Sequence, residues 1–329
     1  MTVDTSLHLC YNKCVEYLIT RTERRCIVIF NNITKENQSQ EIQHKIAQKM
    51  RYKAHLSKYI KVVYEKAYED CYDETTAKNR IENYKNCGTT LVIDAEGRIT
   101  GANFCKQRLC PVCNYRKSLT TWHKINEIVE YINSDNWLLL TVTVKNCTAE
   151  NLVKTINQIM QGIKHLTNHR KWRNNFDGYF RSLEITYNAN ENTYHPHVHM
   201  LVIAKEGYFK EKYITFEEIR KMWEISCGLT YRCNVDIRKI KDVGKGIAEV
   251  AKYAVKMSSV LETDISSNRI KAAKTIFNAV YKRRLTATGG IITKAAKALK
   301  INLESDEEIY IPEGTPYIWN GNKYIIAPR

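Results

Sequence analysis

An α+β fold with an antiparallel central sheet is what this sequence predicts, and three observations carry that prediction. The runs WLLLTVTVKN (137–146), GYFRSLEITYN (178–188) and the histidine-bearing stretch from 194 to about 204 are strand-like, rich in β-branched and aromatic residues. The last two flank a polar NANEN turn, which makes them an antiparallel hairpin. Helical periodicity fills the segments before, between and after them, and strands and helices in mixed order with hairpin connections define α+β.

In chain order, residues 1–34 offer one β-like run, CIVIFNN (26–32). From about Ser39 to Asn86 the pattern is helical, charged and tyrosine-rich, with Ile42, Ile46, Met50, Leu56, Ile60 and Val63 forming an imperfect apolar stripe over one or two helices. LVIDAEGRITGANFC (91–105) reads as a hairpin around an Asp-Ala-Glu-Gly turn, and helix resumes from Cys113 through Tyr131. A basic helix is expected from about Ala149 to Trp172, with Thr148 as its N-cap. Then follow a helix at Thr215–Gly228, a strand at Cys233–Ile240, a helix over 246–259, a tail helical to about Lys300 and a terminal hairpin. Four segments result: a mostly helical region 1–86, a cysteine module 87–117, a catalytic domain 118–260, and a basic helical region with terminal hairpin, 261–329.

Composition narrows the class. The chain has 329 residues, 43% of them hydrophobic, which suits a globular protein. No apolar run reaches the roughly 18 residues that a membrane span needs, and the N-terminus lacks the order of a signal peptide, so a cytoplasmic address without membrane partners is expected. The formal net charge is +16, and Arg238–Lys300 alone holds 15 basic and 4 acidic residues. Such a concentration favours a polyanion, nucleic acid above all, over an ordinary solvated surface.

Four of the eleven cysteines, Cys87, Cys105, Cys110 and Cys113, share the spacing C-x17-C-x4-C-x2-C. Thiolates so grouped around a hairpin suit a closed, structural tetrahedral zinc site, and Pro111 fits the tight turn of a chelating pair. Four buried free thiols are the alternative. Cys10-x3-Cys14, Cys227-x5-Cys233 and His165-x3-His169 lack complementary ligands and read as ordinary thiols and a solvated helix face.

YHPHVHML (194–201) holds three of the nine histidines. Strand geometry puts His195, His197 and His199 on one face, and a turn centred near residue 191 would bring Glu184 opposite 197 or 199. Two imidazoles and a carboxylate with open positions suit Mg²⁺ or Mn²⁺ acting on phosphate. His195, just before a proline, is a further ligand or a second-layer partner of the others. Helical spacing separately places Glu249, Tyr253 and Lys256 on one face, a carboxylate, a phenol and an ammonium at successive turns. Lys252, Lys282, Arg283 and Arg284 are the candidate DNA contacts.

In order, FCKQRLCPVC, LLLTVTVKN, the Glu184 strand with HPHVH, EVAKYAVK and YKRRLTATGGIITKAAKALKI resemble the replication initiators of rolling-circle plasmids, single-tyrosine members of the HUH endonucleases. The resemblance runs from about Cys87 to Ile301. It implies a central antiparallel sheet of HUH type, and a metal, Mg²⁺ or Mn²⁺, on Glu184, His197 and His199. It also implies attack by Tyr253 on an origin phosphodiester, giving a 5′-phosphotyrosine and a free 3′-OH, with Glu249 activating water for termination. Single-stranded or hairpin origin DNA is the implied partner, with a host helicase and self-association as further expectations. A relaxase or single-tyrosine transposase shares this chemistry, and a non-catalytic zinc-containing DNA-binding regulator is the reading without it.

Overall fold

The computed structural model describes residues 35–95, 99–210, 213–251, 260, 267–303 and 314–327. The run 26–32 and the second half of the helix expected over 246–259 lie outside them. The chain is α+β and divides into two compact units: the described parts of 1–60, 78–120 and 306–329, and those of 61–77 and 121–305. Each unit thus draws on more than one of the four sequence segments.

The first unit contains the beginning of the long helix α1 (Lys35–Cys71), α2 (Glu74–Asn86) from Lys78 onward, and a four-stranded sheet. Its strands are β1 (Thr90–Ile93), β2 (Ile99–Ala102), β8 (Thr315–Trp319) and β9 (Tyr324–Ile326), ordered β2-β1-β8-β9. All its neighbours are antiparallel, so the terminal hairpin completes the cysteine-module hairpin across more than 200 residues of sequence. Met50, Leu56 and Ile60, three members of the apolar stripe, are buried along α1. Helix α3 (Pro111–Ile132) opens on a proline, whose fixed φ and missing N–H suit a first helical position.

The second unit is built on a five-stranded antiparallel sheet ordered β6-β3-β5-β4-β7. These are β3 (Trp137–Thr143), β4 (Phe176–Asn188), β5 (Thr193–Ala204), β6 (Val235–Lys239) and β7 (Thr286–Gly290). Strand β5 is central and lies between β3 and β4, and its length from Val198 to Ala204 is buried. Helix α6 (Phe216–Cys227) has the expected bounds: Thr215 and Glu218 form a capping box, and Gly228 closes the helix in the left-handed conformation at φ 64°.

Two expectations are corrected. The single helix from Ala149 to Trp172 is two, α4 (Leu152–Asn168) and α5 (Arg170–Asn175), separated at the extended His169. The His169 ring accepts from the Lys171 N–H and so starts α5, while Asn151 rather than Thr148 takes the N-cap position of α4. The tail is also not helical throughout. After α8 (Ser267–Val280) it forms β7 on the edge of the central sheet before α9 (Ile291–Ala298).

Gly290 explains why TATGG can be a strand that turns at once into a helix. It has φ +64°, and a Cβ there would stand 1.9 Å from the Asp177 carbonyl oxygen on the neighbouring strand. No side chain fits between those two backbones. Gly290→Ala should therefore destabilise the second unit by about 2–4 kcal/mol, read as a drop in the midpoint of thermal or urea unfolding. A midpoint within about 0.5 kcal/mol of the parent would contradict the close approach.

Candidate metal centres and nucleic-acid site

The register of the central sheet decides which polar side chains meet. Glu184 on β4 lies directly opposite His197 on β5, and Ser182 opposite His199. On the other side of β5, Thr141 lies opposite His199 and Thr143 opposite His197. Directly opposed residues share a face, so one continuous row crosses all five strands: Asp236, Thr141, His199, Ser182 and Thr286.

Within this floor the Oε2 atom of Glu184 is 3.1 Å from His199 Nε2 and 3.3 Å from His197 Nε2. Glu184 and His199 are each only 8% exposed. Nδ1 of His199 lies 2.9 Å from the Thr141 hydroxyl, and Nδ1 of His197 lies 3.2 Å from the carbonyl oxygen of His195. With those ring nitrogens engaged, both Nε2 atoms face the carboxylate, the arrangement by which outer partners orient metal-binding imidazoles. Burial alone would raise the Glu184 pKa, but hydrogen bonds with His197 and His199 outweigh it and hold the carboxyl well below its usual range. The donor set therefore fits a divalent cation: an ionised carboxylate oxygen lies 3.1 and 3.3 Å from the two imidazole nitrogens, near the roughly 3.0 Å edge of an octahedron with 2.1 Å bonds, and all three groups offer a ligand atom within 4.8 Å of one another. His195 does not join the group; its Nδ1 contacts the side-chain oxygen of Asn146 at 2.8 Å.

Thr141, Ser182 and Asn146 had not been singled out from the sequence. The available signal was the Thr141–Thr143 alternation inside an otherwise apolar strand, which marks one polar face.

The second cluster lies in the first unit. Cys87 Sγ stands 3.5 Å from Cys110 Sγ and 3.4 Å from Cys113 Sγ, and Cys105 Sγ stands 3.6 Å from Cys113 Sγ. These separations approach the roughly 3.8 Å edge of a tetrahedron with 2.3 Å Zn–S bonds. The N–H of Cys105 donates to Cys87 Sγ and the N–H of Lys106 to Cys113 Sγ, with Lys106 at φ 55° turning the chain between them. Cys113 sits in the first turn of α3, where the helix dipole favours a thiolate. Hydrogen bonds from neighbouring thiols lower the pKa of Cys87 and Cys113, while burial raises that of Cys110. Lys53, 4% exposed, directs its ammonium at the carbonyl oxygens of Cys87 and Lys85, bringing a buried positive charge to the cluster. The four cysteines can hold one metal ion.

The helix expected over 246–259 is observed only as far as Val250, where Ala251 takes the C-cap position. Helix α7 (Val243–Val250) carries Glu249, partly buried, and packs against β3, β4 and β5. Lys252, Tyr253 and Lys256 lie outside the described residues. Among the basic candidates, Lys282 and Arg284 are exposed, and Arg283 donates to the Asn157 side chain at 2.6 Å. No helix among the described residues is long and apolar enough to cross a membrane.

Comparison with known proteins identifies the family. The replication-protein family model matches residues 96–315, a span that includes Glu184, His197, His199 and three of the four clustered cysteines. A protein rep of Streptococcus pneumoniae serotype 2 (strain D39 / NCTC 7466) is 34% identical over 261 residues, covering 74% of this chain and 80% of that protein. A protein rep of Bacillus amyloliquefaciens is 33% identical over 249 residues, 69% of this chain and 74% of its own. A replication protein of Staphylococcus aureus is 30% identical over 194 residues, 56% of this chain and 81% of its own. No solved structure matches. Two-thirds of the sequence falls within the matched span, and the chain belongs to the Rep family of plasmid replication initiators.

Proposed function

We propose that this chain starts rolling-circle replication of a plasmid by nicking one strand of origin DNA through a covalent tyrosine link. The observation that carries the reading is the convergence of His197 Nε2 and His199 Nε2 on one oxygen of Glu184 at the centre of the sheet. An antiparallel sheet bearing paired histidines on its middle strand is also what an HUH-type fold would require.

Glu184, His197 and His199 would hold Mg²⁺ or Mn²⁺. When bound, the ion supplies positive charge at the phosphate oxygens, which makes phosphorus more electrophilic. The Tyr253 hydroxyl oxygen forms the new bond to phosphorus, and the bond from phosphorus to the 3′ oxygen breaks. The phenolic proton passes to a base, the departing 3′ oxygen gains one, and the 5′-phosphate remains esterified to Tyr253. Lys256, three residues on in sequence, would favour the phenolate and hold the phosphate charge. Glu249, four residues before in sequence, would take the proton of the water that hydrolyses the link at termination. Cys87, Cys105, Cys110 and Cys113 would hold a structural zinc, and Lys252, Lys282, Arg283 and Arg284 would contact the DNA backbone.

The test is an adduct assay with single-stranded DNA carrying the origin of the plasmid that encodes the protein. The parent protein with Mn²⁺ should yield a denaturant-stable protein–DNA band that disappears with EDTA. Tyr253→Phe should bind the DNA and give no band, a loss of at least about a thousandfold. Glu249→Ala should form the band but release DNA slowly. A band retained in Tyr253→Phe moves the nucleophile elsewhere. Tight binding without any band in the parent points instead to a non-catalytic DNA-binding regulator. Membership of the replication-protein family favours an initiator over a relaxase or transposase.

A further inference from the structure

The polar row across the central sheet continues past Glu184, His197 and His199 and ends at a cavity. Strand β7, unforeseen as a strand, sets Thr286 opposite Ser182 and Thr288 opposite Phe180. Both threonines therefore share the face of the histidines. Between this edge and α9 lies a cavity of about 260 Å³ lined by Phe180, Arg284, Thr286, Thr288, Thr293 and Lys297, among others. Two of the lining residues are cations, and among the described residues of the lining none is a carboxylate. The Thr293 hydroxyl donates to Thr288 Oγ1 at 2.9 Å, fixing a hydroxyl pair within the lining.

The two cations of the lining, Arg284 and Lys297, suit an anionic ligand. Arg181, on the next position of β4, donates to the Leu285 carbonyl oxygen at 3.3 Å. Its pKa is lowered chiefly by burial and additionally by repulsion from Arg284. Arg181 lies on the opposite face of β4 from Phe180 and Ser182, so Arg284 and Lys297 are the cations that line the cavity itself. The volume is below the roughly 300–1,000 Å³ of sites for drug-sized ligands, so a single nucleotide unit is the scale that fits. Thr286 is one strand over and two residues along from Glu184, a separation of about 8 Å from strand spacing and rise. That is little more than one nucleotide step along an extended strand.

We propose that this cavity is a subsite for one nucleotide of the single-stranded substrate, adjacent to the phosphate that Tyr253 attacks. Arg284 and Lys297 would pair with its phosphate, and Thr288 and Thr293 would hydrogen-bond the sugar or base inside. The assignment rests on the nicking reading for its ligand, but its test needs no chemistry.

Binding of a fluorescent 20-nucleotide single-stranded DNA of mixed sequence to the full chain would be followed by anisotropy without added Mg²⁺ or Mn²⁺ over a salt series. Arg284→Gln/Lys297→Gln should bind about tenfold more weakly at 0.1 M salt and lower the slope of log K against log salt by about 1.4, two phosphate contacts. Lys154→Gln/Lys164→Gln, an equal loss of charge on the exposed side of α4, should leave both within about twofold of the parent. Thr288→Val, which alters no charge, should weaken binding about threefold with the slope unchanged. A cavity double variant indistinguishable from the α4 control overturns the subsite, and so does Thr288→Val at parental affinity. If the variants behave as expected while the origin-DNA adduct never forms, the nicking reading fails and the subsite stands. If the adduct forms while the variants match their controls, only the subsite fails.

Discussion

Glu184→Gln should reduce metal-dependent nicking by at least about a thousandfold while leaving the fold intact. Glutamine keeps the shape of the side chain and can still donate to one imidazole, so the packing of β4 on β5 loses nothing. What disappears is the only anionic donor among Glu184, His197 and His199, set 3.1 and 3.3 Å from the two Nε2 atoms. A divalent ion held by two neutral imidazoles alone retains little affinity, because hard cations depend on charged oxygen ligands. Altering even an outer partner of a ligand typically costs 10- to 100-fold in metal affinity, and removal of a direct ligand exceeds that. The check is paired: Mn²⁺ binding by calorimetry, and the adduct assay on origin DNA. Parental Mn²⁺ affinity in Glu184→Gln would show that the ion does not reside there, and parental nicking would separate the carboxylate from the reaction.

Cys113→Ser should empty the second centre and loosen the first unit. If the four thiols hold zinc, purified protein carries one equivalent per chain and the variant almost none. The binding energy of a structural zinc is folding energy, on the order of 10 kcal/mol in isolated zinc modules, so its loss far exceeds that of one buried thiol. The four-stranded sheet and the start of α3 should then exchange amide hydrogen rapidly, while the five-stranded sheet keeps its protection. Chelation of the parent should reproduce the pattern, and Lys53 should become more accessible as the backbone at Lys85 and Cys87, whose carbonyl oxygens it holds, loosens. If instead the thiols are simply buried, zinc analysis reads zero in the parent, and Cys113→Ser costs only about 1 kcal/mol.

Much of this arrangement was legible in the sequence because it is local. The paired period-2 runs and the NANEN turn bring Glu184 opposite His197 or His199 by simple counting, and the observed pairing selects His197. Thr215, Glu218 and Gly228 mark the ends of α6 by their own side-chain and backbone chemistry. The Cys-Pro-Val-Cys unit announces a chelating turn in the same way. The failures have physical causes as well. The break at His169 was hidden because helical periodicity continues across it. The strand at Thr286–Gly290 was hidden because its two glycines and its brevity carry no strand propensity. Its place depends on a close backbone approach to Asp177 and Gly178, more than 100 residues earlier.

By itself the sequence determined the α+β class, the two groups of side chains that could hold a metal, the basic character of the C-terminal third and the family to which these motifs belong. Those properties depend on residue identity and short spacings, which the chain carries however it packs. The tertiary structure alone decided that the terminal hairpin joins the cysteine hairpin in one sheet, and that Thr141 and the His195 carbonyl orient the paired histidines. It also decided that a polar row runs from His199 to a cationic cavity. Each of these is a contact between distant segments, set by strand pairing and burial that no local pattern encodes.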